Sequence, residues 1–155
     1  MMSLEKIVAG GQTGIDRGAL DAALDAKFPS GGWCPADRAA EDGTIPLRYP
    51  LMPLPSGGYR ERTLQNVLDS DGTIIICKGV LTGGTRLTRN LCLRQAKPHL
   101  VIDATHVTES VAAAKIASFI DEHGIRILNI AGPRSSQWSE AHGYAWRTVL
   151  GLLRK

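Results

Sequence analysis

The chain is 155 residues long, 43% hydrophobic and 5% aromatic, with a formal net charge of +3. That suffices for one domain with a buried core, and no apolar run approaches the roughly 20 residues that a bilayer-spanning helix needs. The mild charge and scarce aromatics argue against a nucleic-acid groove or a single-strand stacking platform, and a start without a basic-then-apolar leader predicts a cytoplasmic protein.

Taken in chain order, strand-like apolar runs alternate with helical patterns, which predicts an α/β fold with a mostly parallel sheet. A first strand is expected at about 5–9 and a first helix at about 15–27, where Ile15, Ala19, Ala22, Ala23 and Ala26 form a narrow face of small residues. Residues 28–58 break the alternation. They hold six of the eight prolines, with one short strand expected near Gly32–Cys34. A segment this long without regular structure either wraps a site or is a surface excursion. A helix at about 59–70 stops at Asp71-Gly72, and the most strand-like segment follows at 73–77. The next helix, about 85–96, ends before Lys97-Pro98, because the residue preceding a proline disfavours helix. A strand at 99–102, a helix at about 108–123 ending at His123-Gly124 and a strand at 126–131 come next. The last helix is expected to start near Ser139 as N-cap and to bury Ala145, Val149 and Leu152.

Three Gly-rich turns follow strands and open toward helices. They are Gly10-Gly11-Gln12-Thr13-Gly14, Thr82-Gly83-Gly84-Thr85 and Gly132-Pro133-Arg134-Ser135-Ser136. In an open parallel sheet such turns share the edge at the C-terminal ends of the strands, where ligands bind. Backbone N–H groups at the positive end of a helix dipole hold phosphates and other oxyanions, so the three together predict one anion-binding edge. The first turn lacks both the dinucleotide G-x-G-x-x-G spacing and the Lys-Ser/Thr pair of a P-loop. Its Gln12 and Thr13 offer polar contacts, and Asp16 suits a ribose hydroxyl or a cap. The second turn, with Arg86 and Arg89 close behind, is the stronger phosphate candidate. In the third, Arg134 and Ser135 suit an oxyanion. Trp33, among glycines, is a candidate to stack on a base or pterin, or else a hydrophobic plug. Glu41 and Asp42, with Arg38 nearby, are candidate acid/base groups or solvated carboxylates. Of the cysteines, Cys77 and Cys92 read as packed core thiols and Cys34 as an accessible loop thiol; their number and spacing fit neither a disulfide framework nor a zinc site. His99, His106, His123 and His142 show no ligand spacing, so no protein-bound metal site is expected.

Several stretches in the right order resemble the putative molybdenum carrier family. They are Gly10-Gly11-Gln12-Thr13-Gly14-Ile15-Asp16-Arg17-Gly18-Ala19-Leu20-Asp21, Gly31-Gly32-Trp33-Cys34-Pro35, Ala40-Glu41-Asp42-Gly43 with Ile45-Pro46, Arg48-Tyr49-Pro50-Leu51, Leu81-Thr82-Gly83-Gly84-Thr85 and Leu128-Asn129-Ile130-Ala131-Gly132-Pro133-Arg134. The resemblance implies a Rossmann-like three-layer sandwich of about five main strands, in the superfamily of the lysine-decarboxylase-like and cytokinin-activating (LOG) proteins. It implies a small phosphorylated ligand, either a nucleotide or the molybdenum cofactor, a pterin phosphate, and a homodimer or homotetramer. The cytokinin-activating hydrolases carry P-G-G-x-G-T-x-x-E with a catalytic glutamate; here Thr88 or Arg89 stands in its place. The expectation is therefore a binding or carrier protein. The alternatives are an enzyme acting on a nucleotide or its N-glycosidic bond through Asp16, Glu41 or Asp42, and a nucleotide-sensing regulator.

Overall fold

The structure, a computed structural model, describes residues 2–154. In chain order the elements are β1 (Lys6–Val8), α1 (Ile15–Asp25), β2 (Ser30–Gly31), β3 (Trp33–Cys34), β4 (Ala39–Ala40), β5 (Gly43–Thr44), β6 (Met52–Pro53), α2 (Tyr59–Leu68), β7 (Gly72–Cys77), α3 (Gly83–Arg94), β8 (His99–Asp103), α4 (Glu109–His123), β9 (Ile127–Ala131) and α5 (Ala141–Leu153). Five strands form one all-parallel sheet in the order β2-β1-β9-β7-β8. Helices α1, α5 and α4 pack side by side on one face, and α2 and α3 on the other. This is the three-layer Rossmann-like sandwich expected from the sequence.

The topology has a simple relation to the Rossmann sheet. Counting the strands from β9 instead of β1 turns the order into 3-2-1-4-5, the dinucleotide-fold order. The last strand of the chain thus takes the place of the first strand of that fold, and the topological switch falls between β9 and β7.

β7 shows why these residues make these elements. Its run of β-branched side chains is buried throughout, as a central parallel strand covered on both faces requires. Ile74 and Ile76 enter the core under α1, α4 and α5 with Ile7, Leu128, Ile130 and Phe119, while Thr73 and Ile75 alternate to the other face. The small residues Ala19, Ala22, Ala141 and Ala145 of α1 and α5 join the same core. α4 is capped by Thr108, whose Oγ1 accepts the Val111 N–H, and ends on Gly124 in the left-handed conformation at φ 60°.

Three local expectations need correction. The short strand expected near Gly32–Cys34 is present as β3, but it is not alone in the 28–58 segment: it pairs with β6 in a separate two-stranded ladder, β4 and β5 form a hairpin, and β2 is the edge strand of the main sheet. Ser139 does not cap α5: its hydroxyl turns to the Glu140 carboxylate, and the helix begins at Ala141. Cys34 is fully buried beside Leu20, Ile45 and Tyr49, and burial pushes its thiol up, so it is not an accessible thiol. The 28–58 segment is organised by this second core cluster and by the β4–β5 hairpin. Among the described residues no helix is long and apolar enough to cross a membrane.

The turn after β9 has no room to spare. A Cβ on Gly132 would lie 2.3 Å from the carbonyl oxygen of Ile76 and 2.5 Å from the Ile15 side chain. Gly132→Ala should therefore destabilise the protein by about 2–3 kcal/mol, seen as a lower midpoint in urea unfolding.

Candidate functional site

A cleft of about 350 Å³ opens at the switch point. The turn after β1 supplies Gly10, Gln12 and Asp16, the start of α3 supplies Gly83, Gly84, Thr85 and Thr88, and the end of β9 supplies Asn129 to Gly132 and Arg134. All three Gly-rich turns thus meet in one space, because strand polarity puts every β–α turn on the same edge.

The fourth wall is α2, which the sequence did not single out. It contributes Tyr59, Arg60, Arg62, Thr63 and Asn66. Arg62 is 8% exposed. Its Nη1 donates to the Gly10 carbonyl at 2.7 Å and lies 3.8 Å from Asp16 Oδ2, while Nε donates to the Tyr59 carbonyl and the Thr63 hydroxyl. Its Nη2 has no protein partner among the described residues. A Cβ at Gly10 would lie 2.3 Å from Arg62 Nη1 and 2.6 Å from its Cδ, so any side chain there would displace the guanidinium.

The start of α3 is also left with unused donors. Thr82 makes no side-chain cap, Thr85 and Arg86 N–H donate to the Thr82 carbonyl, and the N–H groups of Gly83 and Gly84 have no partner among the described residues. The two glycines put no side chain in front of those donors. The positive end of the α3 dipole and the spare Arg62 N–H thus border one cleft, where together they can receive an anionic group.

Asp16 lies on the cleft wall and is 6% exposed. Burial pushes its carboxyl up to about 6; Arg62, the Gln12 N–H and Arg17 oppose the rise. Gln12 N–H donates to Asp16 Oδ2 at 3.1 Å. The Gln12 side-chain oxygen accepts from the backbone of Thr13 and Glu41, so its amide nitrogen is the end left for the cleft.

The other sequence candidates are placed elsewhere. Glu41, at the tip of the β4–β5 hairpin, accepts from the Thr13 hydroxyl and from both the hydroxyl and N–H of Ser136, with Arg134 Nε 3.6 Å away. The bonds from Ser136 and Thr13 hold its carboxyl below the usual range. Ser135 N–H donates to the Thr13 hydroxyl, so Thr13 and Ser135 bond each other and do not line the cleft. Asp42 is gripped by both Nη atoms of Arg17 at 2.5 and 2.8 Å, and Arg17 Nε reaches the Gly11 carbonyl. Arg38 is spent on the carbonyls of Ile45, Pro46 and Leu51 and pairs with neither carboxylate. Trp33 donates its indole N–H to Asp69, its backbone N–H and carbonyl bond the Asn66 side chain, and it does not line the cleft. Gly14, at φ 82°, makes room for the Pro133 carbonyl, and Gly11 faces Leu51 and Ile45. Thr82 faces a smaller neighbouring pocket, and Arg86 is exposed and does not line the cleft. At the hydrolase glutamate's place, it is Thr88 that faces the cleft, its hydroxyl donating to the Gly84 carbonyl at 2.9 Å. Among the described residues no group of three or more His, Cys, Asp or Glu side chains is arranged to hold a metal ion.

A signal for Arg62 was present in the sequence: Arg60 and Arg62 lie in the first turn of a helix whose other end precedes β7. Nothing local showed that this turn faces Gly10, 52 residues away.

The chain matches the model of the circularly permutated YpsA SLOG family over residues 7–153. Its fold is also that of a protein from Syntrophus aciditrophicus SB described as a putative molybdenum carrier protein. The two chains are 43% identical, with a TM-score of 0.95 over 98% of this chain and 96% of the other. No curated protein matches it. The permutation in the family's description agrees with a strand order that becomes 3-2-1-4-5 when counted from β9.

Because the folded chain holds the Asp16 proton more tightly than the unfolded chain, this group's stabilising contribution is full below its ordinary value of 3.8 and is lost as pH rises through about 6. Relative to Asp16→Asn, the wild type should lose on the order of 3 kcal/mol of unfolding free energy between pH 4 and pH 7. Urea titrations of both proteins across that range measure the difference, which also cancels the opposite trend of the carboxylates held low.

Proposed function

The chain belongs to the circularly permutated YpsA SLOG family, and from that premise we propose that it is a binding or carrier protein for a small phosphorylated ligand, nucleotide-like or pterin-based. One observation carries the reading: the uncapped N–H groups of Gly83 and Gly84 and the spare Nη2 of the buried Arg62 border the same cleft at the switch point. A guanidinium nine-tenths buried with one amino group unused is suited to an anion that completes its hydrogen bonding. Arg60 and Arg134 add charge at the cleft's rim. The description of the Syntrophus relative as a putative molybdenum carrier makes molybdenum the first cargo to test, in the pterin phosphate form that the sequence resemblance implies. Molybdate is the second, since a tetrahedral oxyanion needs the same donors as phosphate.

Binding is favoured over hydrolysis because Thr88, on the cleft at the hydrolase glutamate's place, carries no carboxylate and has spent its hydroxyl on the Gly84 carbonyl. A second reading, an enzyme cleaving an N-glycosidic bond, is favoured by Asp16 alone. A buried carboxyl raised to about 6 beside an anion site can hold or release a proton near neutrality. Assembly into a homo-oligomer is part of the same proposal. Leu47, Val80 and Leu93 stand 85%, 87% and 56% exposed, and light scattering reads the mass directly.

Calorimetry with nucleoside monophosphates, molybdopterin, inorganic phosphate and molybdate tests the binding reading. Arg62→Met and, at the rim, Arg134→Met should each weaken the bound phosphorylated ligand by about 10-fold or more, as expected for a lost charge-assisted hydrogen bond. Well-folded wild-type protein that binds none of the four would sink it. Release of free base from a nucleoside monophosphate, abolished in Asp16→Asn, would establish the enzymatic reading instead.

A further inference from the structure

The cleft's polar donors account for one end of a ligand. What the other end is made of depends on the side chains that are not polar. Among the described residues Tyr59 is the only aromatic that lines the cleft. It is 43% exposed, and its hydroxyl makes no hydrogen bond to the described residues. The aromatic ring that the sequence favoured, that of Trp33, donates its indole N–H to Asp69 and does not line the cleft.

Tyr59 is also fixed in place. It is the first residue of α2, whose start is anchored by the Glu61 carboxylate accepting the Gly58 N–H at 2.9 Å. Its carbonyl accepts from the Thr63 hydroxyl at 2.8 Å and from Arg62 Nε at 3.4 Å, and the Arg62 guanidinium lies 5.5 Å from the ring centroid. The same arginine that offers Nη2 to an anion therefore holds the ring beside it. Leu87, from α3, is the partly buried apolar residue that lines the cleft on the neighbouring helix. A ring and an anion site joined through one side chain suit a ligand that carries both a planar heterocycle and a phosphate.

The volume sets the size. About 350 Å³ is near the lower end of the roughly 300–1,000 Å³ of small-molecule sites. That is room for one ring, linker and phosphate.

We propose that Tyr59 is the stacking platform of this site, and that the ligand is a phosphate ester of mononucleotide size bearing one planar nitrogen heterocycle, either a nucleoside monophosphate or a single pterin phosphate. The proposal rests on the anion-binding reading above and adds the ring, the size and the residue that selects them.

Binding is compared for ribose 5-phosphate, nucleoside monophosphates, a pterin phosphate and a dinucleotide, on the wild type, Tyr59→Phe and Tyr59→Ala. The wild type should bind a ring-bearing monophosphate at least 10-fold more tightly than ribose 5-phosphate. Tyr59→Phe should keep that preference, and Tyr59→Ala should lose about 10-fold or more on the ring-bearing ligand while holding ribose 5-phosphate within about twofold. The better of the base and pterin arms identifies the heterocycle. Equal wild-type affinity for ribose 5-phosphate and the ring-bearing ligands overturns the stacking role while the anion reading stands. So does an equal loss on both classes in Tyr59→Ala, the mark of a structural residue. A dinucleotide bound 10-fold more tightly than any mononucleotide overturns the size. No binding by any phosphorylated compound removes the anion reading and this one with it.

Discussion

A buried guanidinium holds the two halves of the cleft together. Arg62 rises from the first turn of α2, crosses to the Gly10 carbonyl after β1, and stands beside Asp16 at the start of α1. A charge taken out of water needs partners on most of its donors, and these come from two distant parts of the chain, residues 59–63 and residues 10–16. The arrangement leaves no free space for a side chain at position 10, and its positive charge opposes the burial that raises the carboxyl at position 16. It also seats Tyr59 and leaves one amino group of a cleft-lining residue without an acceptor among the described residues. The site's geometry and its unfinished hydrogen bonding have the same source.

The segment between α1 and α2 plays a different part. Its carboxylates looked like chemistry in the sequence and act as braces in the structure. Glu41 ties the hairpin tip to the first and third Gly-rich turns through Thr13 and Ser136, and Asp42 neutralises Arg17, whose Nε holds the Gly11 carbonyl. Both carboxyls are held below their usual range by these donors, the opposite of Asp16. The environments of the three acids thus divide them: two fixed anions that shape the turns, and one buried group able to change protonation near neutrality.

Permutation explains why three turns converge although they lie far apart in sequence. With β9 in the central position and β1 and β7 on either side, the turns after β1, β7 and β9 belong to adjacent strands. Parallel polarity puts them on one edge, and the α3 dipole is directed at the place where strand order reverses.

The sequence by itself determined the alternation of strands and helices, since β-branched runs such as Thr73–Cys77 and the helical stripe of Ala112, Ile116 and Ile120 are local patterns. It determined the three Gly-rich turns as well, because a turn that must leave room for backbone has to show it in its residues. It could not determine which polar side chains face the shared space. Arg86 follows the α3 turn directly and is exposed outside the cleft, while Arg62, in another helix, lies beside Gly10. Trp33 sits in a glycine loop and is turned onto α2, while Tyr59 lines the cleft. Those assignments depend on the direction in which α2 crosses the sheet and on which carboxylates the braces consume. Both are long-range contacts, and no local pattern encodes them.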